Sequence, residues 1–366
     1  MISGLPDFPW DSLAPHKATA SAHPDGLVDV SVGTPVDPTP DVVRTALADA
    51  ADAPGYPQTW GTALLRETVA DWFARRRGVP DLDPDGVLPT VGSKELVAWL
   101  PTLLGLGPGD IVGIPPIAYP TYDVGARIAG ASPQVVGSLS ALGPLTDRTR
   151  PRLLWVNTPS NPTGAVLGVG HLAKVVTWAR ANGVLVASDE CYAELDWTGD
   201  GATPSILDPR VCGGSHQGLL ALYSLSKQSN VAGYRAAFAA GDVRLVRGLV
   251  EVRKHAGMIV PSPVQQAMVA ALRDEGHVGA QKARYAARRV QLRAGLERAG
   301  FRIDESGAGL YLWATRDEDC WASVAALAER GILVAPGSFY GTAGERHIRV
   351  ALTATDERTA SACARL

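Results

Sequence analysis

Short, mostly apolar runs recur through the middle of the chain, at 111–114, 134–136, 153–156, 184–188 and 219–223. Such runs have no polar face to leave in water. They predict strands buried on both sides, as in a parallel sheet covered by helices. Helical patterns or turns separate several of them, and 169–181 is the clearest intervening helix. Earlier in the chain, 27–32 predicts a strand ending at Gly33, and Thr39-Pro40 predicts a helix start for 41–51. Leu64, Leu65, Val69 and Phe73 keep an apolar stripe along an expected helix over 62–77. Another helix is expected over 94–104, after a turn at Val91-Gly92, with Ser93 as its cap. After 236–240 the pattern changes to long helices, about 242–255, 263–273 and 277–299. Strands follow at 310–313, 332–334 and 347–350, with one helix between them and one at the end. The order predicts an α/β layered domain followed by an α+β segment.

Composition narrows the class. At about 150 residues per domain, 366 residues suggest two domains, and 46% hydrophobic content excludes wholesale disorder. The 34 basic and 37 acidic residues leave a net charge of −3, so nucleic acid is not an expected partner. No apolar stretch is long enough for a membrane span, and the first residues lack the basic-then-apolar order of a signal peptide. A cytoplasmic protein is expected. Cys191, Cys212, Cys320 and Cys363 have no metal or disulfide spacing, and the seven histidines have none either, so no metal is expected. Only six of the basic residues are lysines, so chemistry that requires an amine has six candidates.

Ligands of open α/β sheets gather at the carboxyl ends of the strands. The run 153–156 is followed by Asn157-Thr-Pro-Ser-Asn161-Pro-Thr-Gly164. The run 184–188 leads into Asp189-Glu190-Cys191-Tyr192, and 219–223 into Ser224-Leu225-Ser226-Lys227, with Arg235 eight residues on. One edge therefore receives an amide, an acid with a phenol, and a hydroxyl–lysine–arginine group. Pyridoxal phosphate needs this set: a lysine for an imine, an acid to keep its ring nitrogen protonated, donors to its phenolic oxygen, and phosphate contacts. Lys227, then Asp189, then Asn161 with Tyr192 meet the first three needs. Ser224, Ser226 and Arg235 meet the fourth, aided by backbone N–H groups of Gly92, Ser93 and Lys94 at a helix start.

Asn161-Pro-Thr-Gly, Asp189-x-x-Tyr192 and Ser224-x-Ser-Lys227 with Arg235 resemble the class I/II aminotransferases, fold type I pyridoxal-phosphate enzymes. The likeness runs from Gly33-Thr-Pro to His347-Ile-Arg349-Val-Ala-Leu. It implies a mostly parallel seven-stranded sheet between helices in a large domain over 41–265, and a small α+β domain from 1–40 and 266–366. It also implies that Tyr119 stacks on the cofactor ring and that Tyr56, in Tyr56-Pro-x-x-x-Gly61, reaches the phosphate of a neighbouring subunit in a homodimer with shared sites. Arg349 would grip the substrate α-carboxylate, with Gly33 and Asn161 beside it. Lys227, Asp189 and Tyr192 would be the catalytic residues.

Within the family, Pro89-Thr-Val-Gly-Ser-Lys-Glu-Leu-Val-Ala-Trp-Leu-Pro and Gly331-Ile-Leu-Val-Ala-Pro-Gly-Ser-Phe-Tyr-Gly are similar to bacterial N-succinyldiaminopimelate aminotransferases. That implies N-succinyl-2-amino-6-ketopimelate as amino acceptor with glutamate as donor, in lysine synthesis. Aspartate, LL-diaminopimelate and aromatic substrates stay open, as does lyase or synthase chemistry on the same fold. A non-catalytic pyridoxal-phosphate-binding regulator would need a DNA-binding segment, for which the residues before Asp41 are too few. Lys94 is the competing amine; Lys17, Lys174, Lys254 and Lys282 lack a polar constellation. Glu95 and Glu190 are expected to form structural pairs, Cys191 to have no redox role, and Trp313 to lie in the core.

Overall fold

The computed structural model describes residues 4–142, 145–199 and 203–366. Its largest sheet has seven strands, in the spatial order Val87–Val91, Ala236–Gly241, Leu219–Ser224, Leu185–Asp189, Leu153–Asn157, Ile111–Ile114 and Ser132–Val135. Ala236–Gly241 runs antiparallel to both its neighbours, and the remaining pairings are parallel. The expected runs thus form one mostly parallel sheet, and the strands Leu153–Asn157 and Leu219–Ser224 are buried at every position. Helices cover both faces. Thr62 caps Ala63–Arg77 by accepting from the Leu65 N–H, and Gly78 closes it at φ +67°. The next helix differs from expectation. Gly92 is its cap residue at φ +75°, and Ser93 is the first residue of Ser93–Leu103.

A second, antiparallel sheet of four strands comes from the C-terminal part, in the order Ala335–Pro336, Ile348–Ala351, Tyr311–Thr315 and Arg302–Asp304. The N-terminal part joins this side. Val28–Asp29 pairs in parallel with Ile332–Leu333, and Leu13, Val28 and Val30 share a core cluster with Leu312, Val324 and Leu333. A division at 265/266 would cut the helix Ser262–Arg273. Its buried residues Ala267, Met268, Val269, Ala271 and Leu272 all pack into the large-sheet core, so the helix sits with the large sheet through its whole length. No helix among the described residues is long and apolar enough to cross a membrane.

Candidate active site

Register brings the polar strand ends together. Asn157 pairs with Asp189 across adjacent parallel strands, and Asp189 pairs with Leu222, two residues before Ser224. Beyond that edge lies a cavity of about 1080 Å³ between the two sheets. Gly33, Ser93, Lys94, Tyr119, Asn161, Asp189, Tyr192, Ser224, Ser226, Lys227, Arg235 and Arg349 all line it. Two expected residues do not. Gly92 sits just behind the wall, where a Cβ would run into the Arg235 guanidinium. Tyr56 is fully exposed on the stretch before Ala63–Arg77, away from this chain's cavity.

Two buried charges in the cavity lack an opposite charge among the described residues. The first is Asp189. Its Oδ2 accepts from the Tyr122 hydroxyl at 2.8 Å and its Oδ1 from the Cys191 N–H at 3.2 Å. Burial pushes its pKa up, against those hydrogen bonds. The second is Arg349, 2% exposed. It donates to Asn161 Oδ1 at 2.9 Å and to the Ser31 carbonyl at 2.6 Å, while its Nε makes no hydrogen bond. Unpaired buried charges cost several kcal/mol, so each is unfinished without a ligand. A cationic ring nitrogen would complete Asp189, and a carboxylate would complete Arg349.

Lys227 lines the same cavity. Its Nζ donates to the Gly33 carbonyl. Burial lowers its pKa, and the Arg349 and Arg235 charges add to this, while Tyr311 and Cys191 oppose it. A neutral, nucleophilic amine is therefore accessible at a lower pH than for an exposed lysine. Lys94 is exposed at its helix start, with Nζ 5.5 Å from the Phe8 ring. Ser224 and Ser226 are buried and hydrogen-bonded to each other at 2.9 Å. Arg235 has no acidic partner among the described residues and faces the same end of the cavity. An amine of lowered pKa, an unpaired buried acid, and hydroxyls with an arginine at a helix start fit pyridoxal phosphate.

The neighbouring acids are engaged elsewhere. Glu95 holds Arg253, itself fully buried, at 2.7 Å, and Glu190 holds Arg77 at 3.1 Å. Trp313 is buried and stacks on His347 at 4.8 Å between centroids. Two residues of the site were not singled out by the sequence reading. Tyr122 orients Asp189 and stacks on Trp155 at 4.8 Å. Its signal was its place three residues after Tyr119, nearly one helical turn on. Tyr311 lines the cavity with its hydroxyl 3.1 Å from that of Tyr192. Its signal was its place two residues before Trp313, on the same face of a strand.

Gly92 gives a sharp test of the anion end. At φ +75°, a Gly92→Ala side chain would be strained by about 1 kcal/mol and would lie 2.5 Å from the Arg235 Cζ. The guanidinium can yield only by leaving its place. Fluorescence titration with pyridoxal phosphate should show affinity falling about tenfold; an unchanged Kd would place the phosphate away from Arg235.

Comparison with known proteins gives one family. Residues 25–366 match the model described as aminotransferase class I and II. The chain is 60% identical to "Probable aminotransferase Rv1178" of Mycobacterium tuberculosis, over all of this chain and 86% of that protein. It is 58% identical to the 4-dedimethylamino-4-oxo-anhydrotetracycline transaminase OxyQ of Streptomyces rimosus, over 99% of each. A solved structure of a probable N-succinyldiaminopimelate aminotransferase from Thermus thermophilus superposes with a TM-score of 0.87 at 29% identity, over 98% of this chain and 99% of that one.

Proposed function

The chain belongs to the class I and II aminotransferases, which use pyridoxal phosphate, and we propose that it transfers the amino group of glutamate to N-succinyl-2-amino-6-ketopimelate. One observation carries the reaction class. A single cavity holds a buried arginine without an acid, a buried acid without a cation, and a lysine whose pKa is lowered. Arg349 and Asn161 grip the α-carboxylate of donor and acceptor alike, beside Gly33. Asp189, held by Tyr122, keeps the ring nitrogen of the cofactor protonated. Tyr119 stacks on the ring, and Tyr192 with Asn161 donates to its phenolic oxygen.

Ser224, Ser226, Arg235 and the N–H groups at Ser93 and Lys94 hold the phosphate; the Gly92 N–H, expected to join them, donates instead to the Arg235 carbonyl at 2.8 Å. Tyr56 does so for a second subunit, in a homodimer with shared sites. Pyridoxal phosphate supplies the electron sink that makes the substrate Cα–H acidic. Lys227 Nζ would take that proton from the substrate Cα and return it two atoms away, beyond the nitrogen, as its lowered pKa allows. Donor and acceptor use the cavity in turn, so ping-pong kinetics follow.

The substrate assignment is supported by the Thermus structural neighbour and by the size of the cavity, about 1080 Å³, whose lining includes an apolar wall at Leu5, Phe8 and Val135. That wall, with the likeness to OxyQ, favours a second reading in which the acceptor has a bulky apolar body. A half-reaction screen separates the two. Glutamate and N-succinyl-LL-diaminopimelate should each bleach the visible absorption of the cofactor-loaded protein. Bleaching by aspartate or an aromatic amino acid, with glutamate inert, would reject the proposed pair; glutamate with turnover only on bulky apolar keto compounds would select the second reading.

A further inference from the structure

The strand Tyr311–Thr315 pairs antiparallel with Ile348–Ala351, Trp313 opposite Arg349 and Tyr311 opposite Ala351. Paired residues share a face and alternate residues return to it, so Tyr311 and Arg349 are diagonal neighbours on one side of the sheet. The Arg349 Cζ lies 3.9 Å from the Tyr311 ring centroid, nearer than to any other ring. The far end of the same phenol lies 3.1 Å from the Tyr192 hydroxyl. It also packs against Gly33, where an added Cβ would lie 2.9 Å from the Tyr311 Cε1 and Cζ. The carbonyl of that glycine receives the Lys227 amine. Gly33 is therefore required by the phenol, which touches Arg349, Tyr192 and the glycine whose carbonyl accepts from Lys227.

We propose that Tyr311 is a positioning residue that joins the carboxylate grip to the proton-transfer amine: its ring seats Arg349 and packs on Gly33, which holds Lys227, and its hydroxyl orients Tyr192. The proposal rests on the transaminase reading of Lys227 and Arg349. The electrostatics agree with the geometry. Burial opposes ionisation of Tyr311, but the Arg349 and Lys227 charges and the hydrogen bond with Tyr192 outweigh it, with Cys191 acting the other way, and its pKa falls below the usual phenol range. The pKa of Tyr192 is pushed well up, by burial and then by Tyr311. The two hydroxyls thus form an ordered pair in which Tyr311 more readily gives up its proton.

Two substitutions divide the ring from the hydroxyl, in the full-length, cofactor-loaded protein. Tyr311→Phe keeps the seat of Arg349 and loses the hydroxyl, so kcat should fall about tenfold while KM for the amino donor stays within about twofold. Tyr311→Leu loses both, and KM should rise about tenfold as well. Ultraviolet titration of the cofactor-free protein should show one phenol ionising below the others in the wild type, missing from Tyr311→Phe. Unchanged kcat and titration in Tyr311→Phe would overturn the proposal. So would parallel losses in kcat and KM that track lowered thermal stability, the mark of a purely structural tyrosine. If the wild type itself turns over no amino donor, the transaminase reading fails instead, and the phenol titration still decides the placement of Tyr311.

Discussion

Lys227→Ala should abolish transamination, with turnover down by at least about 10³-fold, while the chain stays folded. The side chain contributes one hydrogen bond to the Gly33 carbonyl and little to either core cluster. The amine is indispensable because no other described lysine lines the cavity except Lys94, which is exposed at the phosphate end. Arginine cannot substitute, since a guanidinium stays protonated and neither forms the imine nor accepts a proton. Added methylamine should restore part of the turnover to Lys227→Ala and none to the wild type.

The same residue has a stability cost. Its folded pKa lies below the ordinary 10.5, so the unfolded chain binds the proton more tightly. The penalty is full below the folded pKa and fades as pH rises to the unfolded value. Lys227→Met should therefore raise the Tm of cofactor-free protein by a few degrees at neutral pH, and the gain should vanish in strong alkali. Calorimetry across pH checks the sign.

Arg349→Lys should raise KM about 10- to 100-fold, and should do so for amino donor and keto acceptor together. A guanidinium held by Asn161 and Ser31, with aromatic rings over its faces, presents a fixed fork; an ammonium at the same place is a point charge on a mobile stem. Both half-reactions carry an α-carboxylate, so a residue that grips it must affect both. Steady-state kinetics with each substrate varied would show this. A rise in KM for one substrate only would move Arg349 to the distal group and away from the α-carboxylate.

Much of this was legible because the parallel strands are apolar at nearly every position, and the polar residues that end them are chemically distinctive. Ile111–Ile114 and Val169–Ala181 coincide with their expected bounds. Val87–Val91 was not read as a strand because it contains Pro89. It lies at the edge of the sheet, where a missing N–H breaks no inner ladder. The helix Thr121–Ile128 escaped because it is short and carries Gly125. A Cβ there would come within 2.9 Å of the Val97 and Ala98 carbonyls, so the glycine serves a close helix crossing that sequence cannot show. Ala14–Ser21 buries only Ala20 and has no stripe to detect.

The site shows the same division. Asp189 ends a strand, Lys227 and Asn161 follow strands within a few residues, and Arg235 directly precedes one, so they could be placed along one edge. Tyr122 and Tyr311 act through other residues, Asp189 in one case and Arg349 with Tyr192 in the other, and such roles exist only once the two sheets face each other. The expected boundary at 265/266 falls inside a helix for a related reason: Ser262–Arg273 looks like one of three similar helices, and only packing sets it against the large sheet.

The identity of the amine is the central claim, and one measurement reaches it directly. Cofactor-loaded protein is treated with borohydride, digested, and its peptides mapped by mass. The account predicts the pyridoxyl label on one peptide, at Lys227, and on none in Lys227→Ala; a label at Lys94, or at any other lysine, would contradict it.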